Sequence, residues 1–151
     1  MNTKEILNCL NNEAGILLNL KNTIIEKQKA LIASDGNGID LLSHTEESLL
    51  AGLRKSETER LTLLHNLKEE FRYMEETNQQ PKLSQIIKGK VVKEELEKIS
   101  SAEEYVRNLV KDIKEINRQN QLLIQNSLEF INETILALLG NRKKSFVDKK
   151  V

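Results

Sequence analysis

The stretch Asn117–Gly140, NRQNQLLIQNSLEFINETILALLG, is the one long segment of the chain that is both strongly apolar and nearly uncharged. From Gln119 to Gly140 only Glu129 and Glu133 carry charge. On a helix turning about 100° per residue, Leu122, Leu123, Ile124, Leu128, Phe130, Ile131, Ile135, Ala137, Leu138 and Leu139 spread over an arc of about 200°. A helix packed on a single neighbour needs about half that arc. The surplus apolar face calls for a second partner, either another copy of the chain or a different protein.

The remaining composition fits long helices. A chain of 151 residues with 3% aromatics, 30% charged residues and one proline is long enough for one domain but poor in material for a thick core. Strands favour β-branched and aromatic runs, whereas Leu, Lys, Glu, Asn and Ile dominate long uninterrupted segments here. The expected fold is all-α: an elongated antiparallel helical bundle or coiled coil of three long helices with a short connecting helix.

Charge and cysteine usage narrow the function. Lysine plus arginine equals aspartate plus glutamate at 23 each, so no global field draws the chain to nucleic acid or anionic lipid. Cys9 is the sole cysteine, which excludes an internal disulfide. Asn8, Asn11, Asn12 and Glu13 interrupt the N-terminal apolar positions, so no signal-peptide core is expected there. The longest apolar run, Ile135 to Leu139, is far shorter than the roughly 20 residues of a membrane span. A cytoplasmic protein without stable membrane insertion is the expectation.

Along the chain, Asn2 and Glu5 have the form of a capping box opening a helix to about Ala33. Leu10, Leu17, Ile24 and Leu31 repeat every seven residues, with Ile6 and Leu20 between them, as in a narrow coiled-coil seam. Asp35-Gly36-Asn37-Gly38 reverses the chain. The second helix is expected from Asp40 or Ser43 to about Thr77, with a seam of Leu42, Leu49, Leu53, Leu64, Leu67, Phe71 and Met74. Arg60 falls on that seam, its stem lying along it with the guanidinium in water. Asn78 to Pro81 ends the helix. Residues 82–99 read as a connector with a short helix. Ser100 and Ser101 offer overlapping capping boxes for the last helix, whose seam runs through Val106, Leu109, Ile113, Ile116, Leu123 and Ile131. Gly140-Asn141 is expected to close it with a left-handed cap. The domain is thus 1–140, and 141–151 is a basic tail expected to fray.

Signals for chemistry are sparse. Asp35, Asn37 and Glu46 occupy the first, third and twelfth positions of a calcium loop, but Ile39 stands at the fifth and Asp40 replaces the glycine of the sixth. His44 and His65 lie too far apart on one helix to share a metal. No phosphate loop, nucleophile elbow or paired His/Glu zinc motif is present. Glu94 with Lys98 and Glu103 with Arg107 look like a solvated helix face. The chain is expected to have no enzymatic activity and no cofactor.

Lys27-Gln28-Lys29-Ala30-Leu31-Ile32 before Asp35, then Glu46-Glu47, Leu49-Leu50, Leu53, Glu57, Glu59-Arg60-Leu61 and Leu64, resembles the first hairpin of the FlgN-type flagellar export chaperones. Leu83-Ser84-Gln85-Ile86-Ile87 is similar to that family's connecting segment, and Asn117-x-x-Asn120-x-x-Leu123-Ile124 to the opening of its final helix. The resemblance covers residues 13 to 140. It implies a cytosolic helical chaperone that binds hook-associated proteins, through their C-terminal helical segments, near its own C-terminal helix and hands them to the type III export gate. The candidate client-binding residues are therefore Asn120, Leu123, Ile124, Leu128, Phe130, Ile131, Ile135, Leu138 and Leu139. Leu123 and Ile131 are expected on an inner face against the hairpin, and Ile124, Leu128, Phe130, Ile135 and Leu139 on an outer one. Two readings compete: a homodimeric coiled-coil scaffold using the same face for a second copy, and a lipid-surface protein inserting the Leu122 to Leu139 face, which would call for flanking lysines and arginines, of which this helix has almost none there.

Overall fold

The computed structural model describes residues 1–150, with side chains for residues 1–140. Among these there are four helices and no strand: α1 (Thr3–Ile32), α2 (Gly36–Glu70), α3 (Leu83–Ile87) and α4 (Lys93–Lys150). At 1.5 Å per residue the three long helices span about 45, 52 and 87 Å.

Helix α1 begins at Asn2, whose side-chain oxygen accepts from the Lys4 amide 3.1 Å away. It ends in a Schellman motif: the Asp35 amide donates to the Ala30 carbonyl at 2.9 Å and the Ser34 amide to Leu31 at 3.3 Å. Ser34 takes the left-handed conformation, with φ of 54°. The expected glycine-driven reversal is therefore displaced. Asp35 caps α2 by accepting from the Gly38 amide, which absorbs Gly36 to Gly38 into its first turn, several residues before Asp40. At the other end α2 stops at Glu70 rather than Thr77, because a second Schellman motif forms there. Tyr73 donates to Lys68 at 2.9 Å and Arg72 to Glu69 at 3.2 Å, with Arg72 at a φ of 50°. Met74, expected on the seam, consequently lies in a loop and is exposed.

The connector forms the short helix α3, after which Gly89 turns the chain at a φ of +78°. Helix α4 then starts at Lys93, not at Ser100 or Ser101. Glu94 and Glu95 suit its first turn, Lys98 pairs with Glu94, and Leu96 and Ile99 give it an apolar face ahead of the serines. Nor does α4 stop at Gly140-Asn141. Gly140 has no positive φ, and one glycine inside a helix costs only about 1 kcal/mol, less than is needed to end it. The basic segment expected to fray falls on residues whose side chains lie outside those described.

Helix α1 is the central element, packed along both α2 and α4, while α3 bridges α4 and α2. Pairs Met1–Glu70 (3.2 Å), Glu13–Arg60 (2.9 Å) and Lys27–Glu46 (2.8 Å) run antiparallel between α1 and α2. Thr3–Glu95 (2.9 Å), Lys21–Asp112 (2.8 Å) and Gln28–Gln119 (3.0 Å) show that α4 runs parallel to α1. Two neighbours explain why α1 buries more than a narrow seam: Ile6, Leu10, Ala14, Leu17, Leu20 and Ile24 are all enclosed, and so is Glu13.

The main core sits where α3 closes one end of the bundle, joining Ile6 and Leu10 to Leu64, Leu67, Leu83, Ile86, Ile87 and Ile99. A smaller cluster of Ala14, Leu17 and Leu109 continues it. Each such aliphatic side chain contributes roughly 1.5–3 kcal/mol by leaving water.

Candidate functional site

The parallel register decides where α4 loses its support. Asn120 is enclosed, and its Nδ2 donates to the Ile24 carbonyl at 3.0 Å, one layer before α1 runs out. Leu123 is half-buried, and every described residue of α4 beyond it is exposed. With no breaker from Asn117 to Leu139, the helix simply continues past the hairpin, for about 40 Å from Ile124 onward at 1.5 Å per residue.

Nine exposed large apolar side chains lie on the stretch 122–139, with Phe130 70% and Leu136 67% exposed. Ile124, Leu128, Ile131, Ile135 and Leu138 follow one another at steps of four and three, the spacing of a coiled-coil stripe. That stripe prolongs the line Ile99, Val106, Leu109, Ile113 and Asn120, which faces α1 lower down. Leu123, Phe130 and Ala137 form a second, narrower stripe on the flank. Glu129 and Glu133 sit one turn apart between the apolar lines, and Gln125 donates to Glu129 at 3.2 Å.

The expected division into inner and outer faces is corrected by this geometry. Ile131 was expected against the hairpin but is exposed, because the hairpin ends before it; only Leu123 retains a partial cover. Asn120, grouped with the client-binding residues, is buried against α1 instead of lying on the free length of α4. The other seven, Ile124, Leu128, Phe130, Ile131, Ile135, Leu138 and Leu139, share the free length of α4.

Elsewhere the polar side chains hold the fold. Asp35 is engaged as the α2 cap and Glu46 is bound to Lys27, which removes both from any calcium loop. No cluster of three His, Cys, Asp or Glu able to hold a metal occurs among the described residues. Burial pushes the Cys9 thiol up, and Glu13 adds to the effect, which disfavours the thiolate needed of a nucleophile. Arg60 does not extend into water as expected. Its Nε lies 2.9 Å from Glu13 Oε2, beside the buried Ser56. Sequence reasoning missed Glu13, although its place between Leu10 and Leu17 put it on the seam.

One 18-residue window within Lys93–Gly140 is, by length and composition alone, apolar enough to cross a membrane, and none of it is buried. Interruptions by polar residues hid this from a count of consecutive apolar positions.

The family model described as FlgN protein matches residues 1–147. The chain belongs to the FlgN family. No curated protein and no solved structure matches it. FlgN membership carries a flagellar export chaperone role, and an exposed apolar stripe on a helix suits a chaperone of this kind. In this FlgN chain the portion of α4 that outruns the α1–α2 hairpin carries an exposed apolar stripe.

Proposed function

We propose that this FlgN-family chain is a cytoplasmic flagellar export chaperone that binds hook-associated proteins through α4 beyond Asn120 and delivers them to the type III export gate. The observation that carries the reading is the exposed Ile124, Leu128, Ile131, Ile135 and Leu138 stripe. Its four-and-three spacing accepts an amphipathic helix, and from Ile124 to Leu138 it runs about 21 Å, or four helical turns of partner. A client helix laid there would take the place that α1 holds lower on α4. Residues 1–140 act as one chaperone domain, with 141–151 as a basic extension.

Glu129 and Glu133, with Gln125, Asn126 and Asn132, support a protein partner over a lipid one. A charged carboxylate at the centre of a spanning helix costs roughly 2.5–3.5 kcal/mol. A second copy of the chain is the competing occupant, since a four-and-three stripe also suits pairing of like helices.

The test is client pull-down and sedimentation of Leu128→Asp and Ile135→Asp. Each buried anchor is expected to contribute about 2 kcal/mol or more, a loss near thirtyfold in affinity. Both variants folded and binding hook-associated protein normally would refute the client site. A constant dimer abolished by the same changes, with no client binding by the unaltered chain, would establish the scaffold instead.

A further inference from the structure

Helices α2 and α4 both pack along α1, yet no Cα of α2 comes within 8 Å of one of α4. A gap therefore runs between them, floored by α1. At one end α3 fills it, setting Leu83, Ile86 and Ile87 among Leu64, Leu67 and Ile99. Just beyond α3, Arg60 and Leu64 of α2 face Val106 and Arg107 of α4 across the gap. From there to Asn120 no element among the described residues occupies it. Leu53, Val106, Val110 and Ile113, packed from below on Ala14, Leu17 and Leu109, stay half-buried along its walls. At 1.5 Å per residue the open length from Val106 to Asn120 is about 21 Å, the same as the free stripe from Ile124 to Leu138.

The α4 wall of this gap is basic. Arg107, Lys111, Lys114 and Arg118 follow one another at steps of four and three around Val110. Arg107 and Arg118 hold only the exposed Glu104 and Glu115 one turn away, and Lys111 and Lys114 are in no ion pair among the described residues. Asp112 is turned to Lys21 of α1. The free stretch of α4, by contrast, carries charge only at Glu129 and Glu133. We propose that the gap is filled by a second copy of this chain: two molecules pair antiparallel along α4, each laying its free stripe into the α2–α4 gap of the other.

One register satisfies length and charge together. With Ile135 opposite Val110 of the second copy, Ile124 reaches Gln121 and Leu138 reaches Arg107, so both gaps fill over their whole length. Glu129 then stands level with the space between Lys114 and Arg118 of the second copy, and Glu133 within one residue of Lys111. At about 100° per residue, Ile124, Leu128, Ile131 and Ile135 share the face turned to the floor, while Glu129 shares the direction of Lys111 and Arg118 along the rim. A parallel pair would set both bundles at one end and leave both gaps empty. On the client reading above, on which this clause alone rests, the second copy and the client exclude one another, so pairing keeps the stripe out of water until a client arrives.

Val110 and Ile135 lie about 37 Å apart on one helix, too far for a disulfide within a chain. In a Cys9→Ser background, Val110→Cys combined with Ile135→Cys is therefore expected to oxidise to a covalent dimer, and either change alone is not. Sedimentation of the unaltered full chain should show a reversible dimer in the micromolar range. Lys111→Glu with Lys114→Glu should weaken it about tenfold, Glu129→Lys with Glu133→Lys likewise, and the four changes together should restore it. All four side chains are exposed, so folding is not at stake. Lys111 and Lys114 lie outside the stripe, so the lysine-reversed variant should capture hook-associated protein as the unaltered chain does, which separates failure here from failure of the client site. A chain still monomeric at about 100 micromolar, cross-linking by Ile135→Cys alone, or a charge exchange that does not restore the dimer overturns the proposal.

Discussion

The side chain of Asn120 on α4 donates to the main-chain carbonyl of Ile24 on α1 across 3.0 Å, one layer before α4 loses its neighbour. Its Oδ1 is buried without a hydrogen-bond partner. A half-satisfied amide in that position fixes register between parallel helices at some cost in stability. Asn120→Leu is expected to raise stability in urea unfolding by about 1 kcal/mol, whereas Asn120→Asp, which buries an unpaired charge facing a carbonyl, should lower it by about 3 kcal/mol. An Asn120→Leu variant less stable than the parent would show that the amide contributes more than its bond to Ile24.

Glu13 of α1, itself enclosed, forms an ion pair with Arg60 of α2. Burial raises the Glu13 carboxyl above its ordinary 4.5, while the Arg60 guanidinium pulls the other way. A carboxyl raised in the folded state holds its proton more tightly there than in the unfolded chain. Its contribution to stability is therefore largest below about 4.5 and declines as pH rises through the folded value. Arg60→Met should steepen that decline and cost about 3 kcal/mol or more at neutral pH, less under acid conditions, because it strands the carboxylate. Adding Glu13→Leu should recover most of the loss. Urea midpoints that leave the double variant as unstable as Arg60→Met would dismiss the pair as the source.

Ser34 and Arg72 occupy the left-handed position of their Schellman motifs, where a β-carbon costs roughly 1–2 kcal/mol. Part of that gain is returned through the greater freedom of glycine in the unfolded chain. Ser34→Gly and Arg72→Gly are each expected to stabilise by about 0.5–1 kcal/mol, additively, because they lie at opposite ends of α2. A fall in melting temperature for either variant would contradict the assigned cap.

Exposure separates the free part of α4 from the bundle. Leu128→Asp and Ile135→Asp should alter unfolding free energy by no more than about 0.5 kcal/mol, as surface changes do. Leu17→Asp places a charge at a side chain only 2% exposed and should abolish cooperative folding. Leu49→Asp on the expected α2 seam should cost less, since Leu49 is half-buried. Loss of cooperative folding in Ile135→Asp would mean that the outer length of α4 supports the bundle.

Much of this architecture was readable from periodicity, because the spacing of Ile6, Leu10, Leu17, Leu20 and Ile24 is what a helix buried on successive turns requires. The ends of α2 were not. Sequence signals place reversals at glycine and proline, yet here Ser34 and Arg72 adopt the left-handed conformation while Gly36 and Gly38 lie within a helical turn. The free stripe on α4 was visible as surplus apolar arc, but its division into faces was misjudged, since only the register set by Asn120 and Gln119 reveals where α1 ends beside it.

The central position of α1 has a consequence for synthesis. Its partner α2 emerges immediately after it, so the hairpin closes over short loops, whereas the contacts to Asp112, Gln119 and Asn120 join residues 91 to 96 positions apart. Such distant pairings form late, after the entropy of closing a long segment has been overcome. A nascent chain that has released only α1 and α2 thus presents the α4-facing side of Leu17 and Ile24 to the cytosol, and only when α4 has left the ribosome far enough to bring Asn120 to Ile24 is that surface closed.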